Sequence, residues 1–455
     1  MPRHPMFAKS QAFGLWFSGL CLMCMAVAGL VAQDIPLGEA SFKDLQRKAG
    51  TARVALNELI KGTKVFNPKD AATIAAVEDV ARYQIYSFTY PKNIENKTDK
   101  GPELNKQFLE AEQQMRAILL SDKNRLNTQA LVDLYYGAII SNTATVAKTD
   151  NLVSRVNALR MMGSAASLLA TRDEASLKAI VNIPTLIKTG DLLLDKVAPF
   201  VTKAPDEATR YYALRAVRET LKVNQLLREN QPAKSLNLIK EAICLKAAAQ
   251  LVTAPPAYAL ELPKNSAEME GFRGLRREAI RALANASSPL LPEDFSPVYV
   301  LALCINDPGL NPEARLDEMA EAAAGMARMA PLDKNDTDYS PEYTLVLIGR
   351  FIQKFAERYS TKGNSEFDKA NSWKTQAARL TESLDFFRNR YPKNKFIQEM
   401  SLTYIDFLLA VEKGQTDFKA VNVEDKLNVW MRDPSTIKRF FKSKPNSALP
   451  ERVGG

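Results

Sequence analysis

Apolar residues recur every three or four positions along nearly the whole chain, the spacing that places them on one face of a helix. One such stripe follows Ser340-Pro341, where the serine can cap a helix and the proline fits its first turn. It consists of Leu345, Ile348, Ile352, Phe355 and Tyr359. Two more stripes run from Ala370 to Phe387 and from Phe396 to Val411. Each stripe predicts one amphipathic helix that packs on its neighbours.

The same spacing predicts further helices upstream, joined by short connections that carry Pro, Asp, Asn or Gly. Their approximate bounds are 41–61, 70–87, 104–120, 127–147, 150–170, 185–201, 206–228, 233–251, 266–286, 296–305 and 312–329. No stretch shows the strict alternation of a strand. The pattern predicts an all-α protein in which antiparallel helical hairpins stack as an irregular α-solenoid.

Two longer breaks interrupt the helices, at 93–103 and at 253–266. Each fits either a loop on one face of the stack or a domain boundary. A loop is favoured for the second break because copies of one motif flank it. The predicted regions are an N-terminal helical region (34–125), a repeat region (126–333), C-terminal helical repeats (334–432) and a basic tail (433–455).

The recurring motif is Arg-x-x-Ala-[Leu/Ile]-Arg. It occurs as Arg155-x-x-Ala158-Leu159-Arg160, Arg210-x-x-Ala213-Leu214-Arg215 and Arg276-x-x-Ala279-Ile280-Arg281. On a helix, the alanine allows close approach of a neighbour, the Leu or Ile fills the layer, and the arginines lie on the flank. There, arginine can cover apolar surface and bind carboxylates or helix-end carbonyls of the adjacent turn.

The second and third copies resemble the second helix of HEAT repeats, where Arg-x-x-Ala-[Leu/Ile]-x-x-Leu is typical, and the stretch 151–163 is similar. The likeness covers roughly 150–290. It implies a curved, non-catalytic surface that binds protein or organises an envelope assembly, as in exported bacterial helical-repeat proteins.

Six arginines are therefore candidates for binding or for packing between repeats: Arg155, Arg210, Arg273, Arg276, Arg277 and Arg281. Three of them, Arg273, Arg277 and Arg281, lie four residues apart and form a basic stripe that could hold an anion. Glu268, Glu270 and Glu278 are near enough to neutralise it, and structural pairing within the repeat is the favoured interpretation.

The amino terminus predicts export. Arg3, His4 and Lys9 precede an apolar run over 15–32, and Ala26-x-Ala28 supplies the small residues of a cleavage site. These are the parts of a signal peptide, assigned to 1–33, which sends the chain to the periplasm or the exterior. The alternative is an uncleaved membrane anchor at 15–32, because the run is long enough to approach the width of a bilayer.

Composition restricts the chemistry of the exported part. The 455 residues are 46% hydrophobic and 25% charged, as in folded proteins. The single histidine is His4, so catalysis by Ser-His-Asp or Cys-His and zinc sites built on histidine are excluded beyond the signal segment. Cys244 and Cys304 lie in apolar helical contexts, which predict either two buried thiols or a disulfide between them.

No cofactor or metal is expected. The acidic loop 333–344 lacks the glycine and the final glutamate of a helix-loop-helix calcium site, and no glycine-rich phosphate loop occurs. Export disfavours nucleic acid as a partner, and no feature indicates a small-molecule substrate.

The charge of +9 is partly concentrated in the tail, at Lys438, Arg439, Lys442 and Lys444. The tail is expected to be a flexible, solvated end, although these cations could contact an anionic envelope surface.

The sequence thus favours a non-catalytic, exported helical-repeat scaffold or protein-binding module, with a protein as partner. The alternative is an all-helical toroid hydrolase that cleaves glycans with a pair of carboxylates. Such clefts also need aromatic platforms for sugar rings, and Trp373 and Trp430 are the tryptophans left after the signal segment. No individual acid is singled out by a motif.

Overall fold

The structure is a computed structural model that describes residues 38–95, 97–98, 101–121, 125–175, 178–231, 234–263, 266–307, 309–333, 336–362, 372–415, 423–433 and 436–449. The predicted signal peptide or anchor, 1–33, lies outside the described residues. The same is true of the last six residues of the predicted tail.

The described part of the chain is all-α, as the apolar spacing predicts. Its helices are α1 (Glu39–Ile60), α2 (Ala71–Tyr86), α3 (Pro91–Glu95), α4 (Glu103–Leu119), α5 (Arg125–Val146), α6 (Leu152–Leu169), α7 (Ile183–Thr202), α8 (Glu207–Asn230), α9 (Leu238–Thr253), α10 (Ala257–Glu261), α11 (Ala267–Leu283), α12 (Pro297–Asn306), α13 (Leu316–Arg328), α14 (Pro341–Lys362), α15 (Trp373–Arg390), α16 (Lys395–Glu412) and α17 (Val423–Arg432). A two-residue antiparallel pairing of Lys97–Thr98 with Gly101–Pro102 lies in the first long break.

Most long helices begin after an Asp, Asn or Ser whose side chain accepts a hydrogen bond from a backbone N–H of the first turn. Such caps satisfy donors that have no partner within the helix. They are Asp70, Asn151, Asn182, Asp206, Asn237, Ser266, Ser296, Ser372 and Asn394. The predicted cap at Ser340 is confirmed, since its hydroxyl accepts from the N–H of Tyr343 at 3.3 Å.

The helices stack in two layers. Layer 1 contains α2, α5, α7, α9, α12, α14 and α16, and layer 2 contains α4, α6, α8, α11, α13 and α15; within each layer, every helix packs against the next. Neighbours along the chain, such as α7 with α8 and α15 with α16, pack across the layers. The predicted stack of antiparallel hairpins is therefore confirmed as an irregular α-solenoid.

Small residues set the spacing between layer-2 helices. The motif alanines Ala158, Ala213 and Ala279 are fully buried. At Gly325 of α13, a methyl group would lie 2.4 Å from Cβ and 2.7 Å from Cα of Ala284. Because atoms do not approach so closely, α13 can pack this tightly against the end of α11 only with glycine at position 325.

The tail is not a flexible end over 436–449. Phe440 and Phe441 are buried, and the Phe440 ring packs against Tyr343 and Tyr299 with centroids 5.0 and 6.4 Å apart. The backbone N–H of Ser340 also donates to the Phe440 carbonyl at 2.8 Å. The sequence prediction is wrong here because two adjacent aromatic side chains bury against α12 and α14, which offsets the cost of ordering the segment.

Cys244 and Cys304 are both buried and unpaired, so the disulfide alternative is wrong. Burial raises the pKa of the Cys244 thiol to about 12. None of the helices within the described ranges combines the length and the apolar character that a bilayer span requires.

Candidate functional site

Two motif arginines, Arg155 and Arg276, each connect one layer-2 helix to the amino end of the next. Arg155 of α6 donates to Asp206, the cap of α8, at 2.5 Å, and to the Thr209 hydroxyl at 2.8 Å. Its Nη1 donates to the Thr149 carbonyl at 2.8 Å. The arginine of one repeat thus binds the first turn of the next layer-2 helix.

Arg276 makes the corresponding connection from α11 to α13. Its side chain is fully buried and binds Glu318 through two hydrogen bonds of 2.9 and 2.7 Å, as well as the Pro312 and Glu313 carbonyls. Glu318 also accepts from the Arg315 N–H at 2.8 Å, which closes the first turn of α13. Arg276 is therefore a packing residue with no access to a ligand.

The other candidate arginines of α11 also bind α13 or the loop that precedes it. Arg277 lies 2.8 Å from Asp317, and Arg281 lies 2.8 Å from Glu321. Arg273 reaches Glu318 at 3.4 Å and the Glu313 carbonyl at 3.2 Å. These contacts are ion pairs and hydrogen bonds within the protein, as expected if the arginines serve packing between repeats.

The acids that neutralise the stripe differ from those expected. Glu278 lies 3.6 Å from Arg281, but most of the charge comes from α13, through Asp317, Glu318 and Glu321. Glu270 instead binds Arg315 at 2.9 Å. The acids of α13 lie closer to these arginines than the acids of α11 do, because the arginines point into the seam between α11 and α13.

Arg210, in the second copy of the motif, is half-buried. Its Nε has no hydrogen-bond acceptor among the described residues. The second copy therefore lacks the inter-helix ion pair that the other two copies make in the described part of the chain.

At the opposite end of layer 2, the carboxyl ends of α8, α11, α13 and α15 meet along a groove of about 1070 Å³. We call this the C-edge groove. Its charged and aromatic side chains are the arginines Arg172, Arg228, Arg328 and Arg390, the acids Glu229, Asp333, Asp336 and Glu382, and the rings of Phe386 and Tyr391. Because these four helices run in the same direction, their unpaired carbonyl ends all lie along this edge.

Arginines bind those carbonyl ends. Arg228, in the last turn of α8, donates to the carbonyls of Ser287, Ala330 and Pro331, which follow α11 and α13. Arg390, in the last turn of α15, donates to the Arg328 carbonyl at 3.3 Å. Positive charge at a helix carboxyl end is favourable, which explains the recurrence of arginine at this position.

The groove also holds apolar and amide side chains. Phe386 is 45% exposed, and the guanidinium of Arg390 lies over its ring at 4.4 Å. Gln225 and Asn389 line the same groove, as does Asn285, whose amide donates to the Arg281 carbonyl. The groove therefore combines an exposed aromatic ring, arginines, an equal number of carboxylates, and amides that can both donate and accept hydrogen bonds.

Glu241 lies beneath the groove and is completely buried. It accepts hydrogen bonds from the Ser287 N–H at 2.6 Å and from the Asn224 amide at 3.0 Å. Burial raises its pKa to about 7, against the opposing effects of those hydrogen bonds and of Arg228. Burial also lowers the pKa of Arg228, and Arg390 adds to this by repulsion.

Of the four tail cations, Lys444 forms an ion pair within the described part of the chain, with Asp294. Lys438 and Arg439 are half-buried, whereas Lys442 is exposed. The expected contact between this tail and an anionic surface stays a prediction, with fewer free cations than the sequence indicated.

The sequence analysis did not identify the groove residues. A usable signal was present, since Arg228, Arg328 and Arg390 each lie in the last turn of a layer-2 helix. The sequence alone does not show that these turns meet at one edge.

No protein-family model matches the sequence. No curated protein is significantly similar to it.

Proposed function

We propose that this chain is a non-catalytic, HEAT-like scaffold that binds an extended segment of a partner protein in the C-edge groove. The observation that carries the proposal is the groove itself, about 1070 Å³ in volume and formed by the carboxyl ends of four layer-2 helices, α8, α11, α13 and α15. A groove that crosses several repeats matches the length of an extended peptide better than the outline of one small molecule.

The side chains of the groove support a polypeptide as occupant. Arginine and aromatic residues are enriched where protein interfaces gain most of their binding energy, and Phe386 beside Arg390 is such a pair. The amides of Gln225 and Asn389 offer a donor and an acceptor each, as a peptide backbone requires. The arginines have structural roles as well, so the exposed Phe386 is the residue through which binding can be tested with least effect on the fold.

Catalysis by an acid pair finds less support. Five of the buried carboxylates of layer 2 contact an arginine within 4 Å: Glu219, Glu278, Asp317, Glu318 and Glu321. These carboxylates are buried and held by arginines of the protein itself, so they are not presented as a pair to a substrate in a cleft.

The test is a pull-down with the chain from Asp34 onward as bait, from an extract of the source organism's cell envelope. The wild type is compared with Phe386→Ser and with Leu402→Ser, a control on α16 that is 42% exposed. We expect one set of proteins to be captured by the wild type and by Leu402→Ser, to survive a high-salt wash, and to be lost with Phe386→Ser. Equal capture by all three baits, or capture by none, would contradict the proposal.

The proposal includes export, for which the basic start and apolar run of 1–33 are the support. Fractionation of cells, followed by determination of the amino-terminal residue of the chain, tests this part. A chain that begins after Ala28 or Ala32 in the exported fraction supports cleavage. Recovery of an intact amino terminus in the membrane fraction supports the anchor at 15–32, and recovery in the cytoplasm contradicts both.

A further inference from the structure

A second, smaller cavity of about 230 Å³ adjoins the C-edge groove. Five cationic side chains from four successive layer-2 helices line it, and we call it the arginine pocket: Arg218, Lys222, Arg281, Arg328 and Arg379. Arg328 also lines the groove, but the other four do not.

Four carboxylates share the charge of these five cations: Glu219, Glu278, Glu321 and Glu382. Glu219 and Glu278 bind Arg218 at 2.7 and 2.8 Å, and Glu219 also binds Lys222 at 2.8 Å. Glu321 is shared between Arg281 and Arg379. The local balance is positive by one charge, with five cations against four acids, of which Glu321 also lines the cavity.

Arg328 is the cation with the weakest compensation. Among the described residues, its carboxylate partner is Glu382, at 3.8 Å, whose side chain is 81% exposed. Burial lowers the pKa of Arg328, and repulsion from Arg379 lowers it further. An anion in the pocket would relieve that repulsion and gain charge-assisted hydrogen bonds.

The floor of the pocket is made of small residues, Ala284, Ala324 and Gly325. They leave room between the cationic side chains for a group several times the volume of a water molecule, about 30 Å³. Because the cations approach from four helices, they suit a tetrahedral group with acceptors in several directions. A planar carboxylate is instead satisfied by one arginine fork.

We propose that the arginine pocket binds one phosphate group. The site is distinct from the peptide groove, and the two functions are separable because Arg379 lines only the pocket and Phe386 only the groove. The phosphate can be free inorganic phosphate or the terminal group of a larger phosphate monoester, since both present the same oxyanion.

The test is titration calorimetry of the purified chain with inorganic phosphate and, in a second arm, with glycerol phosphate. Sodium chloride at matched ionic strength is the reference. Arg379→Gln removes one pocket cation, and Arg388→Gln is the control, because Arg388 lies on the same helix, binds Asp385 and lines neither cavity.

We expect saturable binding by the wild type and by Arg388→Gln. Binding to Arg379→Gln should be weaker by about ten- to a hundredfold, the loss expected for one charge-assisted hydrogen bond. Tighter binding of glycerol phosphate would identify a monoester as the ligand, and equal or tighter binding of inorganic phosphate would identify the free ion.

If Arg379→Gln does not fold, Lys222→Gln replaces it, because the Lys222 side chain is 44% exposed and its loss is tolerated more easily. The proposal is overturned if neither ligand binds more tightly than chloride, or if the folded pocket variant binds as tightly as the wild type. Neither result bears on the peptide groove, whose test depends on Phe386.

Discussion

Arg276 and Glu318 form a doubly hydrogen-bonded ion pair, with N–O distances of 2.9 and 2.7 Å, and both side chains are completely buried. The pair joins α11 to α13 at the end of layer 2 opposite the C-edge groove. Arg276 also binds the carbonyls of the loop before α13, so one side chain fixes both the helix and its approach.

Loss of one member of this pair should destabilise the fold strongly. Arg276→Met leaves Glu318 buried with only the longer contact to Arg273, at 3.4 Å, as its cation, and we expect a loss of about 3–5 kcal/mol in the free energy of unfolding. Urea denaturation measures it, with Arg47→Met as the control, since the Arg47 side chain is 79% exposed. A loss below about 1 kcal/mol would show that the pair is not buried in solution.

The close contact between α13 and Ala284 gives a second prediction. Gly325→Ala adds a methyl group where Ala284 leaves no space, and overpacking of this kind costs about 1–3 kcal/mol. Gly274→Ala in α11 is the matched control, because nothing lies within 4 Å of its added methyl group. That substitution should stabilise the helix by about 0.5–1 kcal/mol. We expect thermal unfolding to show a lower melting temperature for Gly325→Ala and a higher one for Gly274→Ala. A higher melting temperature for Gly325→Ala would contradict the close contact between α13 and Ala284.

Glu241 should make stability depend on pH. Its pKa rises from the usual 4.5 to about 7 on folding. The folded protein therefore binds this proton more tightly than the unfolded chain. This tighter proton binding contributes about 3 kcal/mol to the free energy of unfolding. The contribution is fully present below pH 4.5 and is lost as the pH rises through 7. Arg228, Cys244, Asn224 and Ser287 are the groups that face Glu241.

Glu241→Gln keeps the shape of this side chain and removes the titration. The difference in free energy of unfolding between the wild type and this variant should change by about 3 kcal/mol between pH 4.5 and pH 8. Chemical denaturation across this range measures it, and Glu382→Gln serves as the exposed control. A difference that does not vary with pH would show that Glu241 titrates normally.

The ordered tail gives a fourth prediction. Phe440→Ala removes a fully buried ring from its place beside Tyr343, and the expected loss is about 3–5 kcal/mol. Lys442→Ala, at an exposed position two residues away, should change stability by less than about 0.5 kcal/mol. Limited proteolysis of both variants adds a local test, since release of the segment should expose 436–449 to cleavage. Equal stability of the two variants would restore the flexible tail that the sequence suggested.

The helices of this chain were largely predictable, because each one carries its own signal. Apolar residues at intervals of three and four locate α14 and α16, and a cap such as Ser340 marks where a helix begins. Helix formation depends on contacts within a few residues, so the sequence contains what is needed. The α-solenoid followed from the repetition of such helices without strands.

The partners of the arginines were not predictable in the same way. Asp206 is 51 positions from Arg155, and Glu318 is 42 positions from Arg276. Which acid lies opposite depends on how far one helix is displaced along the next, and that displacement is set by packing over the whole layer. The same reason applies to the C-edge groove and the arginine pocket, each of which combines residues from four helices.

The two-layer stack has a mechanical consequence. Each helix packs chiefly on the next one in its own layer and on its hairpin partner, so a pulling force on the two ends of the chain is carried from hairpin to hairpin in series. Under tension the protein is expected to lengthen in steps, one hairpin at a time from an end, rather than to rupture at once. As a link between two larger bodies, it would yield gradually and could re-form when the load is released.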